Sequence, residues 1–143
     1  MASSAFKTLV DTTFDSVEGY RKASEKADSP AMKQALSKRL TERQETLNKL
    51  NSELQRQGDE LVTKGTMTGE LHQTWMAITD LFQNGDETAA ERVEEGEDYI
   101  RGKFESALND DDLHADERQV VQQAYAEISE GERFGDMVKN QMD

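Results

Sequence analysis

The chain has 143 residues, a single proline, no cysteine and a formal net charge of −13. The lack of cysteine excludes disulfides, thiolate nucleophiles and cysteine-ligated zinc. The negative charge opposes binding to nucleic acid and to anionic lipid, and no apolar run is long enough for a membrane span or a signal peptide, so we expect a cytoplasmic protein.

Two long helices are predicted in the first half of the chain. Ser29 and Pro30 form a helix N-cap followed by a first helical residue, so that one helix over 4–27 is followed at once by another over 30–57. Gly58 can take the left-handed conformation that ends the second helix. Because the connection between them is so short, the two helices are expected to be antiparallel neighbours.

A long connection and two further helices are predicted in the second half. The connection contains a short helix over 69–83, with apolar residues at spacings of four, three and four that include Trp75. A third helix is predicted over 86–108 and a fourth over 113–141, separated by an acidic turn. No alternating β-branched run indicates a strand.

This order of elements predicts an all-α, ferritin-like four-helix bundle. In such bundles, two antiparallel hairpins are joined by a crossover that travels the length of the bundle. The predicted single domain, over residues 1–143, consists of a hairpin over 4–57, a crossover over 58–85 and a second hairpin over 86–141.

Three short stretches also resemble a known family. They are EGY at 18–20, GELHQTWM at 69–76 and EEGED at 94–98. Together they resemble a bacterial family of ferritin-like four-helix-bundle proteins catalogued as a domain of unknown function. The chain departs from that family at Gln73, Thr74 and Glu95, where arginine, glycine and arginine are usual. The resemblance implies the fold and a bacterial origin, and it carries no established activity.

The ferritin-like order raises the alternative of a metal site. A di-metal bundle uses one glutamate from each of two helices and a Glu-x-x-His motif from each of the other two. The candidate metal ligands in this order are Glu18, Glu42, Glu97 and Glu127. Neither Glu42 nor Glu127 is followed three residues later by histidine, because Glu45 and Glu130 stand there.

Helix phase separates these candidates. At ~100° per residue, only Glu97 points into the bundle. Glu42 and Glu127 lie on the shoulders of their apolar seams, and Glu18 lies outside its seam. An ordinary solvated helix surface is therefore favoured over a di-iron centre. No catalytic residue and no cofactor are assigned, with iron as the alternative cofactor.

An arginine occupies a core position of the second helix. Arg43 lies between Leu40 and Leu47 in a series of leucines spaced by three and four residues. Because an unpaired buried charge is costly, we expect Arg43 to form an ion pair with Glu97, the one acidic residue with an equally central place. We favour a contact that sets the register of the helices. The alternative is a modified ferritin-like centre in which the guanidinium stands in place of a metal cation.

The second hairpin carries two further features. Gly131 and Gly135 lie in the seam of the fourth helix and allow another helix to approach closely. An acidic stripe follows the third helix and could bind a cation or a basic partner, although solvation is the favoured interpretation. Its residues are Glu87, Glu91, Glu94, Asp98 and Glu105.

Two classes of function follow. The preferred class is a non-enzymatic helical protein with an interaction or stress-associated role, forming a homo-oligomer or binding a basic protein. The alternative is a ferritin-like, iron-handling protein. Catalytic triads, phosphate-binding glycine loops and nucleotide motifs are absent from the sequence, so enzymatic activity is less favoured.

Overall fold

The computed structural model describes residues 1–62 and 86–142, and within these ranges it describes the side chains of 1–62 and 93–137. The described residues form four α-helices and no strand, which confirms the predicted all-helical class. None of these helices is long and apolar enough to cross a bilayer. The helices are α1 (Ser4–Lys26), α2 (Pro30–Arg56), α3 (Asp86–Leu108) and α4 (Ala115–Met142). The predicted short helix over 69–83, with Trp75, lies outside the described residues.

Three of the helix ends in α1 and α2 follow local capping signals. Ser3 caps α1, with its Oγ accepting the backbone N–H of Phe6 at 3.1 Å. Ser29 caps α2 in the same way, accepting the N–H of Met32 at 3.1 Å. These bonds satisfy donors that a helix leaves free at its start. Gly58 follows α2 with a φ of 85°, a left-handed conformation in which glycine lacks the steric cost of a Cβ.

The start of α4 differs from the sequence prediction. The helix was predicted from Leu113 and begins at Ala115. The side chain of Glu117 accepts the backbone N–H of His114 at 2.9 Å, which fixes His114 as the residue before the helix. This is half of a capping box, in which the third helical residue reaches back to the cap.

The four helices form two antiparallel pairs. α1 packs mainly against α2 and α3 against α4, while contacts of α2 with α4 and of α1 with α3 join the pairs. At one end of the bundle, Glu117 of α4 accepts hydrogen bonds from Ser3 before α1 and Gln57 after α2. The Leu108 carbonyl, at the end of α3, accepts from Arg118 at the same end. α2 and α3 therefore finish at one end and run parallel.

A buried polar layer lies between two apolar clusters. The larger cluster includes Phe6, Leu50 and Phe104, and the smaller one includes Leu36 and Phe134. On α2, Leu36 belongs to the smaller cluster and Leu47 to the larger one, and the buried side chains between them are polar. They are Arg39, Arg43 and Thr46. This layer, near the middle of the bundle, holds the candidate site.

Candidate functional site

Arg43 contacts every other described helix from the centre of the bundle. Its side chain is fully buried, as is that of Glu97. Nη2 donates to Oε2 of Glu97 on α3 at 2.8 Å, and Nη1 donates to Oγ of Ser16 on α1 at 2.9 Å. Nε donates to Oε1 of Glu127 on α4 at 2.8 Å. One guanidinium thus holds α1, α3 and α4 to α2 through charge-assisted hydrogen bonds.

Tyr20 completes the surroundings of Glu97. Its hydroxyl donates to Oε1 of Glu97 at 2.6 Å, and its ring centroid lies 5.6 Å from Cζ of Arg43. Burial raises the pKa of Tyr20 well above its usual value, and the charge of Glu97 raises this pKa further. The phenol is therefore protonated at neutral pH and serves as a hydrogen-bond donor to the carboxylate.

A second arginine joins the network through Glu127. Arg39, one turn before Arg43 on α2, is 5% exposed and forms an ion pair with the Glu127 carboxylate. Its Nη2 also donates to the backbone carbonyl of Glu127 at 3.1 Å, and its Nη1 donates to Glu42 at 2.6 Å. Thr46 donates to Oε1 of Glu127 at 2.7 Å. Two guanidinium groups, of Arg39 and Arg43, therefore balance the two carboxylates of Glu97 and Glu127.

The charges in this layer reinforce one another. Burial lowers the pKa of Arg43, but the charges of Glu97 and Glu127 outweigh burial and raise it above its usual range. Burial raises the pKa of Glu127, whereas the charge and hydrogen bond of Arg43 and the charge of Arg39 bring it below its usual value. Both groups are consequently ionised at neutral pH.

Gly131 provides the space that this network occupies. A Cβ at position 131 would lie 1.9 Å from Oε2 of Glu97 and 2.5 Å from Nη2 of Arg43. At Gly135, one turn later, a Cβ would lie 3.0 Å from the Cα of Glu94 on α3. Real Cβ contacts are essentially never as short as those at position 131, and the contact at position 135 is shorter than nine in ten of them. The close approach expected at these glycines thus occurs within the chain. Gly131 lies against the side chains of Glu97 and Arg43, and Gly135 lies against the backbone of Glu94.

Comparison with known proteins gives a family for the chain. A family model described as a domain of unknown function (DUF2383) matches residues 1–110, which is more than half of the sequence. The chain belongs to this family. No curated protein and no solved structure matches it. In this DUF2383 protein, the matched range includes Arg43 and Glu97, while Glu127 and Gly131 lie beyond it.

Two of the four proposed metal ligands meet in this DUF2383 protein. Glu97 and Glu127 both accept hydrogen bonds from Arg43, on opposite parts of its guanidinium. The other two are elsewhere. Glu42 is bound to Arg39 at the edge of the layer, and Glu18, which is 34% exposed, pairs with an arginine of its own helix.

The four candidate glutamates are not arranged as a di-metal centre in the described part of the chain. The carboxylate oxygens of Glu97 and Glu127 already accept N–H or O–H donors from Tyr20, Thr46 and two arginines. A metal ion would have to displace these donors and would be repelled by the guanidinium charges. In the ranges 1–62 and 93–137, no group of three or more histidine, aspartate or glutamate side chains is arranged to hold a metal. His72 falls outside these ranges, and the exposed His114 lies at the end of the bundle.

The interior contains acidic groups that the helix phase missed. Asp15, Glu53 and Glu117 are also buried, so Glu97 is not the one acidic residue of the interior. Glu117 is the most enclosed of the three and accepts both the N–H and the Oγ–H of Ser3, at 3.0 and 2.6 Å. Burial raises the pKa of Glu117, but the hydrogen bonds from Ser3 and His114 bring it below its usual value.

Acid is expected to destabilise the protein through Glu127. A carboxyl group whose folded pKa is below its unfolded pKa adds stability above the unfolded value, about 4.3, and loses it as the pH falls through the folded pKa. The free energy of unfolding should therefore decline below about pH 4.3. Glu127→Gln, which cannot titrate, should show a shallower decline, whereas Glu45→Gln, at an exposed position on α2, should follow the parent.

Urea denaturation at a series of pH values from 7 to 3, followed by circular dichroism, measures this dependence. Equal slopes for the parent and Glu127→Gln would show that the ion pairs of Glu127 with Arg43 and Arg39 contribute nothing to the acid sensitivity. The offset between the two proteins at pH 7 reports the loss of those ion pairs at neutral pH.

Proposed function

We propose that this chain is a non-enzymatic, ferritin-like bundle protein in which a guanidinium takes the central place that metal-binding bundles give to metal ions. The observation that carries the proposal is the position of Arg43, which is fully buried and donates hydrogen bonds to side chains of α1, α3 and α4. Arg43 and Glu97 are fully buried, so neither side chain is open to a substrate from solution. Its chemical effect is to hold four helices in one register.

The direction of the helices supports the ferritin-like order. α2 and α3 finish at the same end of the bundle. There, Gln57 donates a hydrogen bond to Glu117, and the Leu108 carbonyl accepts one from Arg118. A connection from the end of α2 to the start of α3 has to travel the length of the bundle, as the crossover of a ferritin-like fold does. We therefore propose a single domain over residues 1–143 with a crossover over 58–85.

The role we propose is interaction with another protein in the bacterial cytoplasm, with a stress-associated function. The net charge of −13 and the acidic face of α3 suit a basic protein partner, or a second copy that presents basic residues. Asp98 and Glu105 of that face are exposed, and Glu94 is half-buried. The side chains of Glu87 and Glu91 lie outside the described residues.

Loading with ferrous iron tests the proposal. The purified protein, incubated aerobically with ferrous iron and then desalted, should retain much less than one iron per chain and show little ferroxidase turnover. The physical reason is that Arg43 already neutralises the carboxylates that a metal would need. Metal analysis by mass spectrometry and the absorbance of ferric iron measure the two quantities.

The alternative, a ferritin-like protein that binds or handles iron, is favoured by one observation. Two carboxylates from different helices, the buried Glu97 and the half-buried Glu127, converge on a single cation. Two irons bound per chain would establish this alternative, provided that they are lost when any of the four candidates is replaced by alanine. The candidates are Glu18, Glu42, Glu97 and Glu127.

A further inference from the structure

A groove lies on the outer surface between α2 and α4, beside the buried layer. Its volume is about 430 Å³. Small-molecule sites in proteins have volumes of roughly 300 to 1,000 Å³. The groove therefore has the size of a small ligand, and its lining decides which chemical class it suits.

Apolar side chains form part of the lining. Ala35 of α2 faces Phe134 and Met137 of α4 across the groove. Met137 is 49% exposed and is one of only three large apolar side chains that are exposed within the described residues. Covering it with an apolar ligand would remove this surface from water, which is favourable.

Two cations without partners stand beside these apolar groups. Lys38 and Arg133 line the groove and are both exposed, and neither has an ion-pair partner in the described part of the chain. The two acidic residues of the groove, Glu42 and Glu130, are already near a cation, with carboxylate oxygens 2.6 and 4.0 Å from Nη1 of Arg39. The lining carries three cations and two carboxylates, a formal charge of +1 on a chain whose net charge is −13, and one of these cations, Arg39, also pairs with Glu127.

Arg39 adds an unsatisfied donor to the same wall. It is 5% exposed and lines the groove, and its buried Nε–H has no hydrogen-bond acceptor in the described structure. A buried donor without an acceptor is destabilising, so a ligand oxygen that reaches it would be favoured.

We infer that this groove binds a small amphiphilic anion, with an apolar body against Ala35, Phe134 and Met137 and an acidic group between Lys38 and Arg133. A neutral apolar ligand would leave the cations unpaired, and a small inorganic anion would leave the apolar surface in water. The inference is independent of the role proposed for Arg43, because iron binding and occupation of the groove are measured separately.

Titration of the full chain with decanoate, below its micelle concentration, tests the inference by calorimetry and by amide chemical shifts. We expect saturable binding of one decanoate per chain, with shift changes concentrated on residues 35–39 and 133–137. Lys38→Gln combined with Arg133→Gln should weaken binding about tenfold, which corresponds to ~1.4 kcal/mol. Lys49→Gln, an exposed lysine of α2 outside the groove, should leave the affinity unchanged.

Decanol and acetate separate the two parts of the ligand. Both should bind at least about tenfold more weakly than decanoate, since each lacks one of the two groups. Decanol binding as tightly as decanoate, unchanged affinity in the double variant, or shift changes centred on other residues would each overturn the inference. Both substitutions are at exposed positions, and a circular dichroism spectrum matching the parent shows that the double variant is folded.

Discussion

Replacing Arg43 by methionine is expected to lower the free energy of unfolding by about 3 to 5 kcal/mol, the usual cost of removing one partner from a buried ion pair. The substitution leaves the fully buried carboxylate of Glu97 without its cation. It also removes one hydrogen-bond donor from Glu127 and the donor to Oγ of Ser16. Urea denaturation at pH 7, followed by circular dichroism, measures the change, provided that the m-values of the proteins agree.

A second substitution separates two free energies. One is the cost of leaving Glu97 without its cation, and the other is the net contribution of the intact ion pair to stability. Arg43→Met combined with Glu97→Leu removes both charges, so much of the stability lost in Arg43→Met should return. Recovery should be incomplete, because Tyr20 then loses the acceptor of its hydroxyl. The loss of Arg43 as a donor to Glu127 should cost less, because Glu127 keeps Arg39 and Thr46 as donors.

Arg21→Met is the matched control for this series. Arg21 is an arginine of α1 that pairs with Glu18 at the surface, where ion pairs contribute about 0 to 1 kcal/mol. Its replacement should therefore change stability only slightly. If the effects of Arg43→Met and Glu97→Leu simply add in the double variant, the two side chains are not energetically coupled and the proposed structural role of the pair is wrong.

Helix periodicity was sufficient to place Arg43 and Glu97. Leucines at spacings of three and four define the buried face of α2, and Arg43 occupies one of its positions, so its side chain has to enter the interior. The same reasoning on α3 selects Glu97. In the structure their side-chain atoms lie 2.8 Å apart. A repeating apolar pattern shows which side chains of a helix point into the bundle. Two inward side chains on different helices can then contact each other.

The rest of the network could not be predicted in this way. Glu127 was placed on the shoulder of its seam, and its side chain is in fact only 15% exposed, because a long side chain at the edge of a seam can reach inward to a charge. Arg39 was not singled out, although it stands four residues before Arg43 and hence on nearly the same face. Ser16 and Thr46 carry no apolar signal at all.

The buried carboxylate at the end of the bundle illustrates a different limit. Glu117 occupies the third position of α4, where a glutamate completes a capping box. The residue before the helix is His114, which is not one of the usual capping residues, so no capping box could be recognised from residue types alone. The other partners of Glu117, Ser3 and Gln57, are 114 and 60 residues away in the sequence, and periodicity carries no information on such distant pairs.

Gly131→Ala is expected to destabilise the protein by about 2 to 4 kcal/mol. A methyl group at this position would lie 1.9 Å from Oε2 of Glu97 and 2.5 Å from Nη2 of Arg43, so the ion pair has to break or move. Both side chains are fully buried, so water cannot replace the hydrogen bonds that they would lose. Breaking a buried pair costs about 3 to 5 kcal/mol, and the better helix propensity of alanine offsets about 1 kcal/mol of this.

Gly102→Ala supplies the comparison that isolates this effect, because Gly102 is an exposed residue of α3 and a Cβ there would have no atom within 4 Å. It should stabilise the protein by about 0.5 to 1 kcal/mol, the propensity gain alone. Thermal and urea unfolding of both variants and the parent measure the two changes in stability, which should have opposite signs. In the background of Arg43→Met with Glu97→Leu, where no ion pair remains to be displaced, Gly131→Ala should cost less than in the parent. An equal cost in both backgrounds would mean that Gly131 is required for helix packing and not for the charged layer.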